Sequence, residues 1–259
     1  MDEVAQYNMA RWQALTKANA LFTRPYLQMD ATTARAKLDA EGRLGEIKGK
    51  DVLCLAGGGG QQSVAFALLG ATVTVIDLSE EQLQNDRAAA AHYHHQIETQ
   101  QGDMRDFARL ITKRFAIVWQ PYSLNFVPDA RVVFHQVAQV LQRGGLYHFN
   151  CANPFFSGLT ERDWNGTGYL LKAPYVAGAA TTYPDADWVH TAAEPIAPPR
   201  EYRHMLSSLI NGLIEESFVL QHISDYTDFY PDLKAEPGTW DHFTAIAPPW
   251  LTFWTIYQP

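Results

Sequence analysis

Apolar residues along this chain change period several times, and each change marks a different element. Over residues 3–22, Val4, Tyr7, Trp12, Leu15 and Ala18 recur near helical spacing, and a second short helical stretch over 33–44 ends at Gly45 and Gly49. At Asp51 the pattern switches to "DVLCLA", a nearly unbroken apolar run followed by glycines at 57–60, which predicts a strand buried on both faces of a parallel sheet. "QQSVAFALLGA" reads as a helix closing at Gly70, and "TVTVID" as a second, β-branched strand ending in an acid. In "LSEEQLQNDRAAAAHYHH" Ser79 is positioned to cap a helix, with Gln82 three residues on to complete a capping box. "IETQQGDM" is a weaker third strand, "FAIVWQ" a fourth, "ARVVFHQVAQVLQ" a helix, and "GGLYHFNCA" a fifth strand after a Gly-Gly turn. Strands alternating with helices at this spacing predict an α/β fold built on a doubly wound parallel sheet.

Beyond the fifth strand the rhythm stops. Residues 153–199 are rich in Pro, Gly and aromatics, with Phe155, Phe156, Trp164, Tyr169, Tyr175, Tyr183 and Trp188 among them. A loop this long is uncommon unless it is functional or disordered, and its aromatics argue against disorder. Together with the N-terminal helices it is expected to sit over the carboxyl ends of the strands as a cap whose apolar walls select a small, partly aromatic or apolar molecule. Leu206, Leu209, Ile210, Leu213 and Ile214 then restore helical spacing, and "FVLQHISDY" and "WLTFWTIYQ" read as two closing strands. The expected organisation is one domain over 1–259: a helical cap (1–49), a core (50–152), an aromatic insert (153–199), and a helix with a strand pair (200–259).

Composition narrows the partners. A chain of 259 residues with 47% hydrophobic and 19% charged positions buries a full core without disulfides or metals. Its formal charge of −8 repels a nucleic-acid backbone, and the longest basic feature, Lys113 with Arg114, reads as a solvated strand start. Cys54 and Cys151 lie inside apolar runs, as reduced thiols do, the N-terminus has no apolar core of signal-peptide length, and nowhere do about 18 apolar residues run together. A cytoplasmic protein without membrane insertion is expected.

The candidate chemistry begins at the glycines. A glycine-lined strand-to-helix turn offers backbone N–H groups to an anionic or polar ligand, and Asp77, ending the next strand, would stand beside it to accept ribose hydroxyls. Dinucleotides require GxGxxG or GxGxxA, but the best register, Gly58, Gly60 and Ser63, fails at its third position. A nicotinamide-dependent oxidoreductase is therefore the weaker reading, and S-adenosylmethionine, which needs only close backbone approach, is the stronger.

Four motifs carry a resemblance over residues 50–152. "VLCLAGGGG" resembles the first motif of the class I, Rossmann-like S-adenosylmethionine-dependent methyltransferases, "VTVIDLS" the second strand with its ribose acid, and "QGDM" the segment that contacts adenine. "FAIVWQPYSLNFVPD" with "VLQRGG" is similar to the small-molecule branch that includes the ubiquinone and menaquinone methyltransferases. The resemblance implies that Gly58 and Gly60 pass under the methionyl group, that Asp77 holds the ribose, that Asp103 accepts from the adenine amino group with the Met104 backbone beside the ring, and that Ala56, Gly57 and Leu78 also belong to the cofactor-binding set. It also implies that Gln120 and Pro121 lie near the methionyl amine, and that the last strand adds one antiparallel strand to a mostly parallel Rossmann-like sheet. Cys54, Ala56 and Ala116 depart from the usual Asp, Gly and Asp of those motifs. A binder of S-adenosylmethionine or S-adenosylhomocysteine without turnover is the reading that Cys54 leaves open.

Methyl transfer demands alignment more than acid–base chemistry, so the catalytic residues stay unassigned. Candidate bases are His190, His204, and Asp241 with His242. His92, His94 and His95 close a helix, where they complement its dipole, and no spacing predicts a metal site. "QPY", "NPFF" and the pair Tyr230 and Lys234 match other enzymes' motifs only in part.

Overall fold

In the computed structural model, which describes residues 1–183, 195–225 and 229–259, five parallel strands follow the predicted order. They are β1 (Asp51–Leu55), β2 (Thr72–Asp77), β3 (Glu98–Gln101), β4 (Phe115–Gln120) and β5 (Leu141–Ala152). After a two-residue pairing of β6 (Ala180–Thr181) with β7 (Glu201–Tyr202), β8 (Phe218–Ser224) and β9 (Trp250–Tyr257) complete a seven-stranded sheet ordered β3-β2-β1-β4-β5-β9-β8. β9 runs antiparallel to both β5 and β8, which is the single reversed strand expected.

Side chains alternate across the strands and so divide the core in two. Leu53, Leu55, Val118, Tyr147 and Phe149 face α5 (Ala130–Val140) and α6 (Leu206–Glu215), where Phe134, Val137, Leu209 and Leu213 close the packing. Val52, Cys54, Val73, Val75, Ile117 and Trp119 face the other way, against α2 (Ala31–Leu38), α3 (Gln62–Leu68) and α4 (Glu80–His92). Both cysteines are free and buried.

Several local expectations need correction. Ser79 caps α4 by accepting from the Gln82 N–H, but the reciprocal half of the capping box is missing because the Ser79 N–H donates to Asp77 Oδ1 at 2.8 Å instead. The Gly-Gly turn lies inside β5: pairing with β4 jumps from Phe115–Leu141 to Ile117–Leu146, so Gly144 and Gly145 sit in an irregularity of the strand. The "TWDHF" segment is not a loop but the start of a short helix, α7 (Trp240–Ile246). Lys113 is spent on Asp51 and Glu98, and Arg114 on the Leu141 carbonyl, so neither forms a basic patch. No helix among the described residues is long and apolar enough to cross a membrane.

The N-terminal helix α1 (Glu3–Lys17) and the insert lie over the carboxyl ends of the strands. Asn8 donates to the Phe126 carbonyl at 2.8 Å and Tyr7 to the Pro198 carbonyl at 2.6 Å, which ties α1 to the segment after β4 and to the insert.

Candidate functional site

At the carboxyl end of β1 the chain turns through Ala56, at φ 50, and then through Gly58, Gly59 and Gly60, at φ 81, 80 and 86. Only glycine adopts this left-handed region at little cost, so a run of three enforces a shape rather than mere flexibility. The loop is pinned from several sides. Ala56 N–H donates to the Ile76 carbonyl at 2.7 Å, Gly60 N–H to Asp86 Oδ1 at 2.7 Å, and the Gly60 carbonyl accepts from Tyr26 N–H at 3.0 Å.

The four glycines divide into two jobs. A Cβ on Gly60 would lie 2.8 Å from Ala89 Cβ, 2.9 Å from the Asn85 carbonyl oxygen and 3.0 Å from Pro25 Cβ; one on Gly59 would lie 2.4 Å from Gln82 Oε1 and 3.2 Å from the Thr23 carbonyl. These two admit the close passage of the segment after α1 and of α4. Gly57 and Gly58, with Ala56, instead line a cavity of about 950 Å³ at the carboxyl ends of the strands.

Of the site residues expected from sequence, Ala56, Gly57, Gly58, Asp77, Leu78, Asp103 and Met104 line this cavity, as does Pro121. Gly60 and Gln120 do not. Gly60 packs inward as described, and Gln120 is buried beneath the floor, where it donates to Ser123 Oγ at 3.0 Å and accepts from the Tyr147 hydroxyl at 2.6 Å. None of the described candidate bases faces the cavity. His204 is buried with Nε2 on the Leu124 carbonyl at 3.0 Å, His242 packs Nδ1 against the Tyr169 hydroxyl at 3.1 Å, and Asp241 is exposed; His190 and Trp188 lie outside the described residues. Phe156 and Tyr183 of the insert line the cavity, whereas Trp164 and Tyr169 anchor it to α7.

Burial sets the electrostatics. Desolvation pushes the Asp77 carboxyl up to about 6 against the pull of N–H groups from Ser79, Leu78 and Gly58. Asp86, which sequence reasoning missed, is pushed up to about 7 by burial while it holds Gly60 and the Ser63 hydroxyl. Its signal was an acid of low helix propensity among strong helix formers in α4, one turn before Ala89, which meets the loop. Asp103 is clasped by Arg105, whose guanidinium also reaches Asp2, so the loop after β3 is tied to the start of α1.

Further groups in the cavity were invisible in the sequence. Two amide oxygens, Gln62 Oε1 and Gln82 Oε1, are buried on lining residues without a hydrogen-bond partner among the described residues. His148 is stacked on Trp119, centroids 3.5 Å apart, with Trp254 edge-on at 4.5 Å, and burial pushes its imidazole down to about 3, so it is neutral. Glu201, on β7, accepts from the hydroxyls of Tyr122 at 2.7 Å and Tyr183 at 2.6 Å. No group of three or more metal-ligating side chains occurs among the described residues.

Comparison with known proteins identifies the family. A family model described as a methyltransferase domain matches residues 52–145. An uncharacterized methyltransferase of Bacillus subtilis, YbaJ, is 34% identical over 191 residues, covering 72% of this chain and 70% of that protein. A ubiquinone biosynthesis O-methyltransferase of Salmonella arizonae is 33% identical over 111 residues, 43% of this chain and 46% of that enzyme. Among solved structures, an S-adenosylmethionine-dependent methyltransferase from Mesorhizobium loti superposes with a TM-score of 0.58 at 20% identity, covering 87% of this chain and 99% of the other, a likeness of fold.

Proposed function

The chain belongs to the family of S-adenosylmethionine-dependent methyltransferases, and from that premise we propose that it moves a methyl group onto a small acceptor bound in the cavity. The observation that carries the reading is the position of Asp77 in the cavity wall beside the Ala56–Gly57–Gly58 turn. Asp77 would hold the ribose diol, with Leu78 beside it. Gln82 Oε1 and Gln62 Oε1 suit the same ligand, because buried acceptors without partners favour a molecule rich in hydroxyl and amino donors. Asp103 and Met104, after β3, would flank the adenine.

Strand order supports one direction for the ligand. With the nucleoside toward β2 and β3, the residues that would hold the methionyl end are the turn after β1 and, after β4, Pro121 and Tyr122. Bound there, S-adenosylmethionine supplies a methyl group on a sulfonium centre. The chain contributes alignment and a shielded volume: Trp12 and Asn8 of α1, Phe126, Tyr183 and Trp250 wall the space beyond Tyr122.

The decisive activity experiment supplies methyl-tritiated S-adenosylmethionine together with a small-molecule cell extract. Label is expected to move into the organic small-molecule fraction. Binding of the donor without any transfer of label would favour instead the non-catalytic binder that Cys54, in place of the usual first-motif acid, leaves open.

A further inference from the structure

The cavity holds one buried carboxyl whose environment is unlike that of the others. Glu201 is 3% exposed and lines the cavity, yet its partners are two hydroxyls and no cation lies within ion-pair distance among the described residues. Arg11, on α1, exerts the weakest of the influences on it; burial dominates and pushes its carboxyl up. The surroundings are aromatic. Tyr122 meets Phe126 and Trp250 edge-on, with centroids 6.3 and 6.4 Å apart, Trp12 meets Phe126 at 5.6 Å, and Trp240 meets Trp250 at 5.5 Å; all five line the same cavity.

Two hydroxyl partners leave the charge of a buried carboxylate uncompensated, which is costly, and a cation entering the cavity beside Glu201 would offset that cost. A carboxyl facing an aromatic enclosure matches the chemistry of ammonium recognition, in which ring faces and one anion share the positive charge. Resting on the methyl-transfer reading above, we propose that the acceptor is a small primary or secondary amine, taken up as its ammonium by Glu201 within the enclosure of Trp12, Tyr122, Phe126, Tyr183 and Trp250. Glu201 accepts one ammonium proton, which frees the nitrogen lone pair. The N–C bond forms as the C–S bond of the donor breaks, with the electron pair left on sulfur. The methylammonium product leaves as a cation, and the Glu201 proton passes to solvent.

The test begins with binding. Protein saturated with S-adenosylhomocysteine is titrated with benzylamine, phenethylamine and tryptamine, and with the three matching alcohols. At least one amine is expected to bind about tenfold or more tighter than its alcohol, the scale of one charge-assisted hydrogen bond. Glu201→Gln should erase that preference while holding S-adenosylhomocysteine affinity within about twofold, since Glu201 lies on the acceptor side of the cavity. With S-adenosylmethionine in place of the product, wild-type protein should release S-adenosylhomocysteine with the amine and not with the alcohol. Alcohols binding as well as amines, none of the six binding, or Glu201→Gln keeping the preference would each overturn the proposal. If wild-type protein fails to bind S-adenosylhomocysteine at all, the underlying methyl-transfer reading falls first.

Discussion

Gly60→Ala is expected to be among the most damaging single-atom additions to this protein. Two costs combine at that position. The backbone sits at φ 86, where a Cβ costs roughly 1–2 kcal/mol. The added methyl would also meet Ala89, the Asn85 carbonyl and Pro25 at 2.8–3.0 Å, two elements at once, for about 1–3 kcal/mol of overpacking. The sum, about 3 kcal/mol, should appear in urea unfolding as a fall in midpoint without a change in slope. Gly144→Ala is the control. It has nearly the same φ, 78, but nothing within 4 Å of the new Cβ, so only the first cost applies and the loss should be about 1 kcal/mol. Equal losses in the two variants would mean that the glycine loop is not packed as described.

Asp77→Ala is expected to weaken S-adenosylmethionine binding by roughly 10- to 100-fold, the equivalent of the 1.5–3 kcal/mol associated with charged hydrogen bonds. Asp77→Asn separates charge from shape, because its amide oxygen still accepts from the N–H groups that the carboxyl now holds. The pH dependence follows from burial. Desolvation raises the Asp77 carboxyl to about 6, so the acid is ionised above that value and takes up its proton as pH falls through it. Wild-type affinity should therefore decline below about pH 6, and Asp77→Asn should decline less over the same range, keeping only the part that comes from Asp86, whose carboxyl is pushed up to about 7. Calorimetry at pH 7.5 and pH 5 reads both effects. A flat wild-type profile would remove Asp77 from the ribose.

Much of this molecule was legible because its signals are periodic. Buried strands such as "DVLCLA" and "TVTVID" carry their burial in nearly every residue, and a doubly wound, mostly parallel sheet followed from their alternation with helices. The closing helix α7 was not legible, since seven residues starting at Trp240 give too few turns for a period to show. The glycine run was half legible. Its presence announced close approach, but which glycines meet a ligand and which meet Pro25 and Ala89 depends on where α4 and the segment after α1 cross the loop, a tertiary fact. Gln120 shows the same limit: alternation along β4 turns its side chain to the α5 face, toward Tyr147, while its neighbours Trp119 and Pro121 line the cavity. Glu201 and Tyr122, 79 residues apart, meet only because β7 folds back over the end of β4, and no local pattern announces such a pair.

On this reading the cavity between Asp77 and the glycine turn takes S-adenosylmethionine. Isothermal titration of the purified protein with S-adenosylmethionine, S-adenosylhomocysteine and NADH in parallel tests it most directly. Saturable binding of the first two, with no heat from NADH, is the predicted result. Binding of NADH alone, or of none of the three, would contradict it.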